Sequence, residues 1–335
     1  MSKYQTLKEL LNIDSPSGFT QKADQYIFDL LTNYGWQPEY TNKGAVKCSL
    51  GETPKVALAA HTDTLGAIVS QIRSDGTLAF SKIGGLSLNS AEGEYCRIYT
   101  LDDKIYTGTF LLKNPSTHVN AQLKKIHRTI DSMHIRLDEE VDSRSDVSKL
   151  GINVGDFICL DVRYQETPSG YIKSRFLDNK ASCYVLFELA RRLKEAGKTA
   201  PIELFFSNYE EVGHGGTCGY SDTVKDLLVL DMGVVGDGCA GLETHCSICA
   251  KDSSGPYDYG FRKKMVKLAQ KNNIPYKIDI YPFYGSDGSA ALRAGNDFKV
   301  ALIGMGVAAS HGNERTHKKG IEATIDLCMA YIDSL

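Results

Sequence analysis

The chain has 335 residues, 42% hydrophobic, 9% aromatic and 24% charged, which suits a globular protein with a sizeable core in one large domain or two modest ones. Lys and Arg number 38 against 41 Asp and Glu, a formal net charge of −3, without the basic excess of a nucleic-acid or anionic-membrane binder. No run approaches the roughly 18–20 apolar residues of a membrane span, and 9 scattered cysteines argue against a disulfide framework and for a reduced, cytoplasmic protein.

In chain order, the opening Met1-Ser2-Lys3-Tyr4-Gln5 lacks the basic and then apolar run of a secretion signal. Leu7, Leu10 and Leu11 recur at helical spacing before Pro16-Ser17-Gly18 breaks the chain. A second helix starts near Thr20, with Ala23, Ile27, Leu30 and Leu31 on one face and Gly35 as its stop. Lys55–Ala60 is a short continuous apolar run, the signature of a strand buried on both faces. From about Ser70 to Glu166 the pattern changes to short alternating runs around turn signals such as Asp75-Gly76 and Gly84-Gly85. That predicts a β-rich insertion, a small barrel or sandwich. The earlier rhythm resumes near Tyr171. Val185, Leu186, Leu189, Ala190 and Leu193 form the stripe of a long helix, with Asp178 or Asn179 as candidate N-cap. Ile202–Phe206, Leu227–Leu230 and Val300–Ile303 repeat the buried-strand signature, and Lys277–Tyr281 is a fifth candidate. Phe261–Lys271 and Ile321–Ile332 read as helices. Strands alternating with helices predict an α/β fold, its central sheet mostly parallel or mixed and covered by helices on both faces. The expected domains are 1–69 with 167–335, interrupted by a β-rich, barrel-like domain over 70–166.

Each buried run is followed by a carboxylate or an imidazole. His61 and Asp63 follow Lys55–Ala60, Glu210 and Glu211 follow Ile202–Phe206, and Asp231 follows Leu227–Leu230. His311 comes a loop after Val300–Ile303, and Asp178 stands before the long helix. Ligands of open α/β sheets bind beyond the carboxyl ends of the strands, so the topology gathers all of these on one rim. Singly, each has an ordinary reading: an aspartate at a helix start is usually an N-cap, and an adjacent Glu-Glu pair is usually solvated surface. Crowded together, they repel one another unless a cation sits among them. Oxygen and imidazole donors without an obligatory thiolate suit zinc, cobalt or manganese. One shared carboxylate plus two further ligands per ion suits a pair of ions. In that reading His61 binds metal while Asp63 orients its ring, and Asp178 bridges. Glu210 and Glu211, as sequence neighbours, cannot occupy the same position. One can bind an ion while the other acts as base toward the attacking water.

Four segments, Ala60-His61-Thr62-Asp63, Asp178-Asn179-Lys180-Ala181, Glu210-Glu211-Val212-Gly213 and Leu230-Asp231-Met232, resemble the site motifs of the glutamyl/tetrahedral aminopeptidase family of metallopeptidases, some of them called endoglucanase-M-like. The resemblance runs in order along nearly the whole chain and takes in Leu150–Asp156 and Gly285–Ala290. It implies a metal-dependent aminopeptidase removing N-terminal residues from short peptides through a hydroxide bridged by two divalent ions, zinc or cobalt. It also implies that the inserted domain dimerises and that subunits form a homo-oligomer, often a tetrahedral dodecamer. By the family's pattern Asp178 bridges, His61 and Glu211 complete one metal site, Asp231 and a late histidine complete the other, and Glu210 is the base. Counted back from the final helix, His311 fits the late-histidine position best, with His317 as its rival. Relatives usually carry an aromatic residue shortly before that histidine, where this chain has Ala308-Ala309-Ser310, and His214 stands where relatives have a different residue. Both departures bear on substrate preference.

Other signals have structural explanations. Cys246 and Cys249 have Cys-x-x-Cys spacing, but in an extended run residues three apart point to opposite faces. Gly213–Gly219 lacks the Lys-Ser/Thr ending of a phosphate loop and reads as a backbone turn that lets substrate approach the ions. Trp36 reads as core. Two other functions are compatible with the residues. One is a dinuclear amidase or deacylase acting on an N-acylated small metabolite, motivated by the segments around His214 and His311. The other is a catalytically silent oligomeric relative, against which Glu210 argues, since a structural site needs no spare base.

Overall fold

The computed structural model describes residues 3–335. They form two compact units, the chain through Thr64 together with Arg163–Leu335, and Leu65–Val162. Among the described residues no helix is long and apolar enough to cross a membrane.

The larger unit is built on a mixed sheet of 12 strands. At its centre Ile202–Ser207, Val56–His61, Asp226–Leu230 and Lys299–Ala308 lie side by side, all parallel. Val46–Ser49 and Cys246–Lys251 flank this core antiparallel. Every residue of Val56–His61 and of Ile202–Ser207 is buried, which is why these segments are unbroken apolar runs rather than alternating ones. On one face Ala57, Ala59, Leu227, Val229, Val300 and Leu302 pack in a single cluster with Ala291 of the helix Asp287–Arg293. Their neighbours Leu58, Leu204, Leu228 and Ile303 turn to the opposite face and are equally buried, so both faces are covered. The helices Leu177–Glu195 and Lys318–Ile332 pack against the central strands. This is the α/β architecture that the hydrophobic patterning predicts.

Two local expectations are corrected. Asp178 and Asn179 have the non-helical backbone of a helix start (φ −75°, ψ 98° and φ −126°, ψ 23°), but their side chains are engaged elsewhere. The Asp178 carboxylate faces His61 and His311, while Asn179 Nδ2 donates to the carbonyl of Leu230 at 2.8 Å and its Oδ1 has no hydrogen-bond partner. Trp36 is half-buried rather than core. It follows the helix Gln21–Asn33 and lies over the long helix, its Nε1 donating to the carbonyl of Ala190 at 3.0 Å and the Lys194 ammonium sitting 4.4 Å from its ring centre. Cys246 and Cys249 lie in the strand Cys246–Lys251 as buried free thiols.

The smaller unit is a closed barrel of 6 strands, Gly66–Ile72, Leu78–Ile83, Met133–Leu137, Ile105–Leu112, Tyr95–Tyr99 and Phe157–Leu160 in order around it. Closure leaves no open sheet edge, which settles barrel against sandwich. Phe80 and Phe110 meet edge to face in its interior, 5.2 Å between centroids, packed among buried Val69, Leu78, Ile98, Met133 and Ile158.

Close packing in the larger unit is set partly by Gly304, where any β-carbon would overlap the carbonyl group of Asp231. Gly304→Ala should therefore lower stability by about 1–3 kcal/mol, read as a shift of the guanidinium midpoint. Gly236→Ala, at a position with open space around it, should stay within about 0.5 kcal/mol of the parent. Equal effects at the two positions would contradict this account.

Candidate metal centre

The carboxyl ends of the parallel strands deliver the chemistry. His61 ends its strand, Asp231 directly follows Asp226–Leu230, and Glu210 and Glu211 open a single 3₁₀ turn beyond Ile202–Ser207. His311 lies in the turn after Lys299–Ala308, and Asp178 enters beside the long helix. One ligand atom each from His61, Asp178 and Asp231 lie within 4.8 Å of one another, all three residues being buried. His311 Nε2 is 3.8 Å from Asp178 Oδ2 and 3.7 Å from Glu211 Oε2.

The contacts of His61 decide what the cluster can hold. Its Nδ1 is 2.9 Å from the backbone carbonyl of Asp63, an acceptor, so Nδ1 carries the ring proton. In the neutral ring Nε2 then presents a lone pair, and it faces Asp178 Oδ1 at 3.3 Å and Glu210 Oε2 at 3.7 Å. Two acceptors opposed at this range need either a proton on Nε2 or a metal ion between them. Glu211 Oε1 is also buried without a hydrogen-bond partner. The neighbouring thiol of Cys183 is turned away, donating to the carbonyl of His61, so the donors are oxygen and imidazole nitrogen, a set that fits divalent zinc or cobalt.

Electrostatics point the same way. Burial pushes the carboxyls of Glu210, Glu211 and Asp231 well above their ordinary range, and neighbouring carboxylates add to it. Burial alone would pull His61 down, but Glu210, Asp178 and Asp63 outweigh it and hold the imidazole well above its usual value. Asp178, raised by burial, is brought below its ordinary value by His61 and His311. Like charges this close and this dry are stable only around positive charge.

Distances also revise the pairing that the family resemblance implies. Asp231 sits with His61, and Glu211 with His311, with the two oxygens of Asp178 facing the two histidines. His61 and Asp231 leave adjacent strands, whereas the turn Glu210–Val212 carries Glu211 toward the His311 loop. His317 is elsewhere. It caps the helix Lys318–Ile332 by accepting the Lys319 N–H at Nδ1, and its Nε2 lies 3.0 Å from the carbonyl of Ser169.

Asp63 meets the His61 ring at two points, its carbonyl 2.9 Å and its carboxylate 3.5 Å from Nδ1. That carboxylate also accepts the N–H groups of Glu210 (3.1 Å) and Glu211 (3.2 Å) and the hydroxyl of Ser17 (2.5 Å). Behind it, Asp24 accepts from Thr62 Oγ1 (2.9 Å) and Thr20 Oγ1 (2.7 Å). Sequence reasoning gave no role to Ser17, Asp24 or Asp287. Their only signal there is a polar residue beside a motif, and their burial is visible only in three dimensions.

A cavity of about 430 Å³ opens over the cluster. Asp178, Glu210, Glu211, Asp231 and His311 line it together with Met232, Val234, Phe283, Tyr284 and Arg293. Gly213 and Gly215 line it too, and His214 does not. At Gly215 a β-carbon would crowd Glu210 Cα at 2.7 Å, so this glycine lets the loop fold tightly against Glu210.

With this geometry, the match of the M42 glutamyl aminopeptidase model to residues 44–327 decides the assignment. The chain belongs to the M42 glutamyl aminopeptidase family. It is 45% identical over 333 residues, 98% of this chain and 96% of the other, to YhfE of Bacillus subtilis (strain 168), a protein named as an aminopeptidase. It is 22% identical over 346 residues to the lysyl aminopeptidase of Pyrococcus furiosus, covering 100% of this chain and 98% of that one. The solved TET1 peptidase of Pyrococcus horikoshii superposes with a TM-score of 0.88 at 21% identity, over 99% of both chains. That likeness shows the fold of this M42 member.

The Asp24 contact gives a pH test. Burial pushes its carboxyl up to about 7, against the lowering bonds from Thr20 and Thr62, whereas in an unfolded chain it titrates near about 3.9. Between these values the folded state holds the extra proton, so stability falls as pH rises from about 4 to about 7 and levels off above. Asp24→Asn removes that dependence. In chelator-treated protein, its urea midpoint relative to the parent should climb across this window and then become constant. A difference independent of pH would refute the reading.

Proposed function

We propose that this M42 member cleaves the N-terminal residue from short peptides with the help of two divalent ions, zinc or cobalt, per subunit. One arrangement carries the reading: Nε2 of His61 faces Asp178 Oδ1, and a ligand atom of Asp231 lies within 4.8 Å of both residues' ligand atoms. His61, Asp178 and Asp231 would hold one ion, and Asp178, Glu211 and His311 the other. When bound, such ions polarise the scissile carbonyl and lower the pKa of water from about 15.7 toward about 7. Glu210 faces the cavity with its pKa raised by burial, which suits it to take the proton of the attacking water and return it to the leaving amine. Asp63 fixes the amides of Glu210 and Glu211 and so keeps base and ligand in separate positions. The carboxylate-rich floor attracts the peptide's α-ammonium, and Met232, Val234, Tyr284 and Arg293 are placed to line the side-chain pocket.

Family membership favours this reading over an amidase or deacylase of N-acylated metabolites, and Glu210 in the cavity argues against a silent relative. The subunit is proposed to act as a homo-oligomer through its barrel unit. That unit exposes Tyr95, Leu101, Ile105, Val119 and Val154, apolar side chains that a dimer contact would cover. The TET1 peptidase of Pyrococcus horikoshii can assemble into a tetrahedron or a large octahedral shell, and a dodecamer is proposed here by analogy. Free cysteines throughout suit a reducing cytoplasm.

Glu210→Gln should lower kcat on aminoacyl p-nitroanilides by roughly 10²–10⁴-fold while elemental analysis finds metal content unchanged. Chelation should abolish turnover of the parent, and zinc or cobalt should restore it. Full activity in the Gln variant would remove Glu210 from its role, and protein holding no divalent ion would remove the reading itself.

A further inference from the structure

His311 is the donor least held by the fold. Its side chain is 41% exposed, its φ is 62°, and it lies in a turn rather than in the sheet. One buried side chain reaches it from behind. Glu314 Oε1 accepts the backbone N–H of His311 at 3.1 Å, and Glu314 Oε2 accepts the backbone N–H of Asp178 at 3.0 Å. The N–H of Leu177 bonds to the same carboxylate. Glu314 is only 3% exposed, and its own backbone is fixed in the strand Glu314–His317, opposite Ser174.

We propose that Glu314 is a positioning residue for the metal pair. Its carboxylate ties the segment carrying Asp178 to the turn carrying His311, and so sets how firmly the His311 side holds its ion. The inference rests on the ligand assignment proposed above. Two oxygens are needed to hold two segments, and Glu314 presents one to each. A glutamine in this place offers one carbonyl oxygen and turns an NH₂ toward the other N–H, so only one segment stays held. Asp178 keeps independent support, because the next residue, Asn179, is bonded to the carbonyl of Leu230. In the His311 turn, Arg175 Nη1 reaches the Gly312 carbonyl at 3.3 Å, and the amide of His311 is held by Glu314. Loss therefore falls mainly on the His311 side.

Titrating metal-stripped protein with zinc against a chromophoric chelator separates two dissociation constants. Glu314→Gln should weaken one of them by roughly 10- to 100-fold and leave the other within about threefold. The weakened constant should be the one that His311→Ala abolishes. Cobalt-loaded Glu314→Gln should show an altered visible spectrum for that same ion, while the stripped variant melts close to the stripped parent. Should the Gln variant fail to fold, Glu314→Asp, which keeps the charge but is one methylene too short to span both segments, should show the same one-sided weakening. Unchanged constants in a folded variant, or equal weakening of both, would overturn the inference and leave the function intact. A parent protein that binds no divalent ion would sink the ligand assignment, and this inference with it.

Discussion

A histidine nitrogen faces a carboxylate oxygen across 3.3 Å, a pair that needs a proton or a metal ion between its members, and much of the larger unit is arranged to keep it there. In the neutral ring the proton is committed to the other nitrogen by the carbonyl of Asp63. The carboxylate is turned to the histidines, its second oxygen facing His311 at 3.8 Å. His61 and Asp231 are fixed by adjacent parallel strands, whose complete burial leaves them no freedom to slip register. Such a confrontation is costly in a dry site and becomes favourable only around positive charge.

The surrounding acids divide into two kinds by what satisfies them. Asp178 and Glu211 turn oxygens toward the histidines, as does Asp231, one of whose oxygens also accepts the N–H of Met232 at 2.7 Å. Asp63 and Glu314 have oxygens occupied by backbone N–H groups. The second kind is scaffold: a carboxylate holding two amides from different segments fixes the distance between them, as a fold does with a cap at a helix start. Asp287 stands between the two. One of its oxygens accepts from Ser207 at 2.5 Å, and the other is buried without a hydrogen-bond partner. Burial pushes it up to about 6.

Much of this was legible in the linear chain, and the reason is topological. Parallel strands bury both faces, so they announce themselves as apolar runs, and their carboxyl ends are where ligands collect. His61, Glu210, Glu211 and Asp231 all follow such runs, and Asp178 and His311 stand at the remaining loops of the same rim. Pairing was not legible, because it depends on which way a short turn aims its side chains. The bonds of Asp63 to the amides of Glu210 and Glu211 were not legible either, because a His-x-Asp spacing speaks only of the ring beside it. Ser17 sits in a chain break and has no periodic signature. The rival His317 could be set aside only once its two nitrogens were seen to be engaged by Lys319 and Ser169.

How two adjacent glutamates come to do different things follows from the turn they occupy. A 3₁₀ turn advances by three residues per turn, so consecutive side chains point about 120° apart. Starting from Tyr209 at φ 68° and ending at Gly213 at φ 80°, the turn Glu210–Val212 is a single such step. Glu210 is thereby aimed at His61 and Glu211 at His311. Asp63 takes the first two N–H groups of the turn, which prevents it from unwinding, and Gly215 folds back close enough to touch Glu210. An α-helical turn would place the two carboxylates about 100° apart, and an extended segment would place them on opposite faces. In an extended segment successive N–H groups also point in opposite directions, so the two could not both donate to Asp63 as they do here. Division of labour between base and ligand is thus a property of backbone geometry, imposed on two chemically identical side chains.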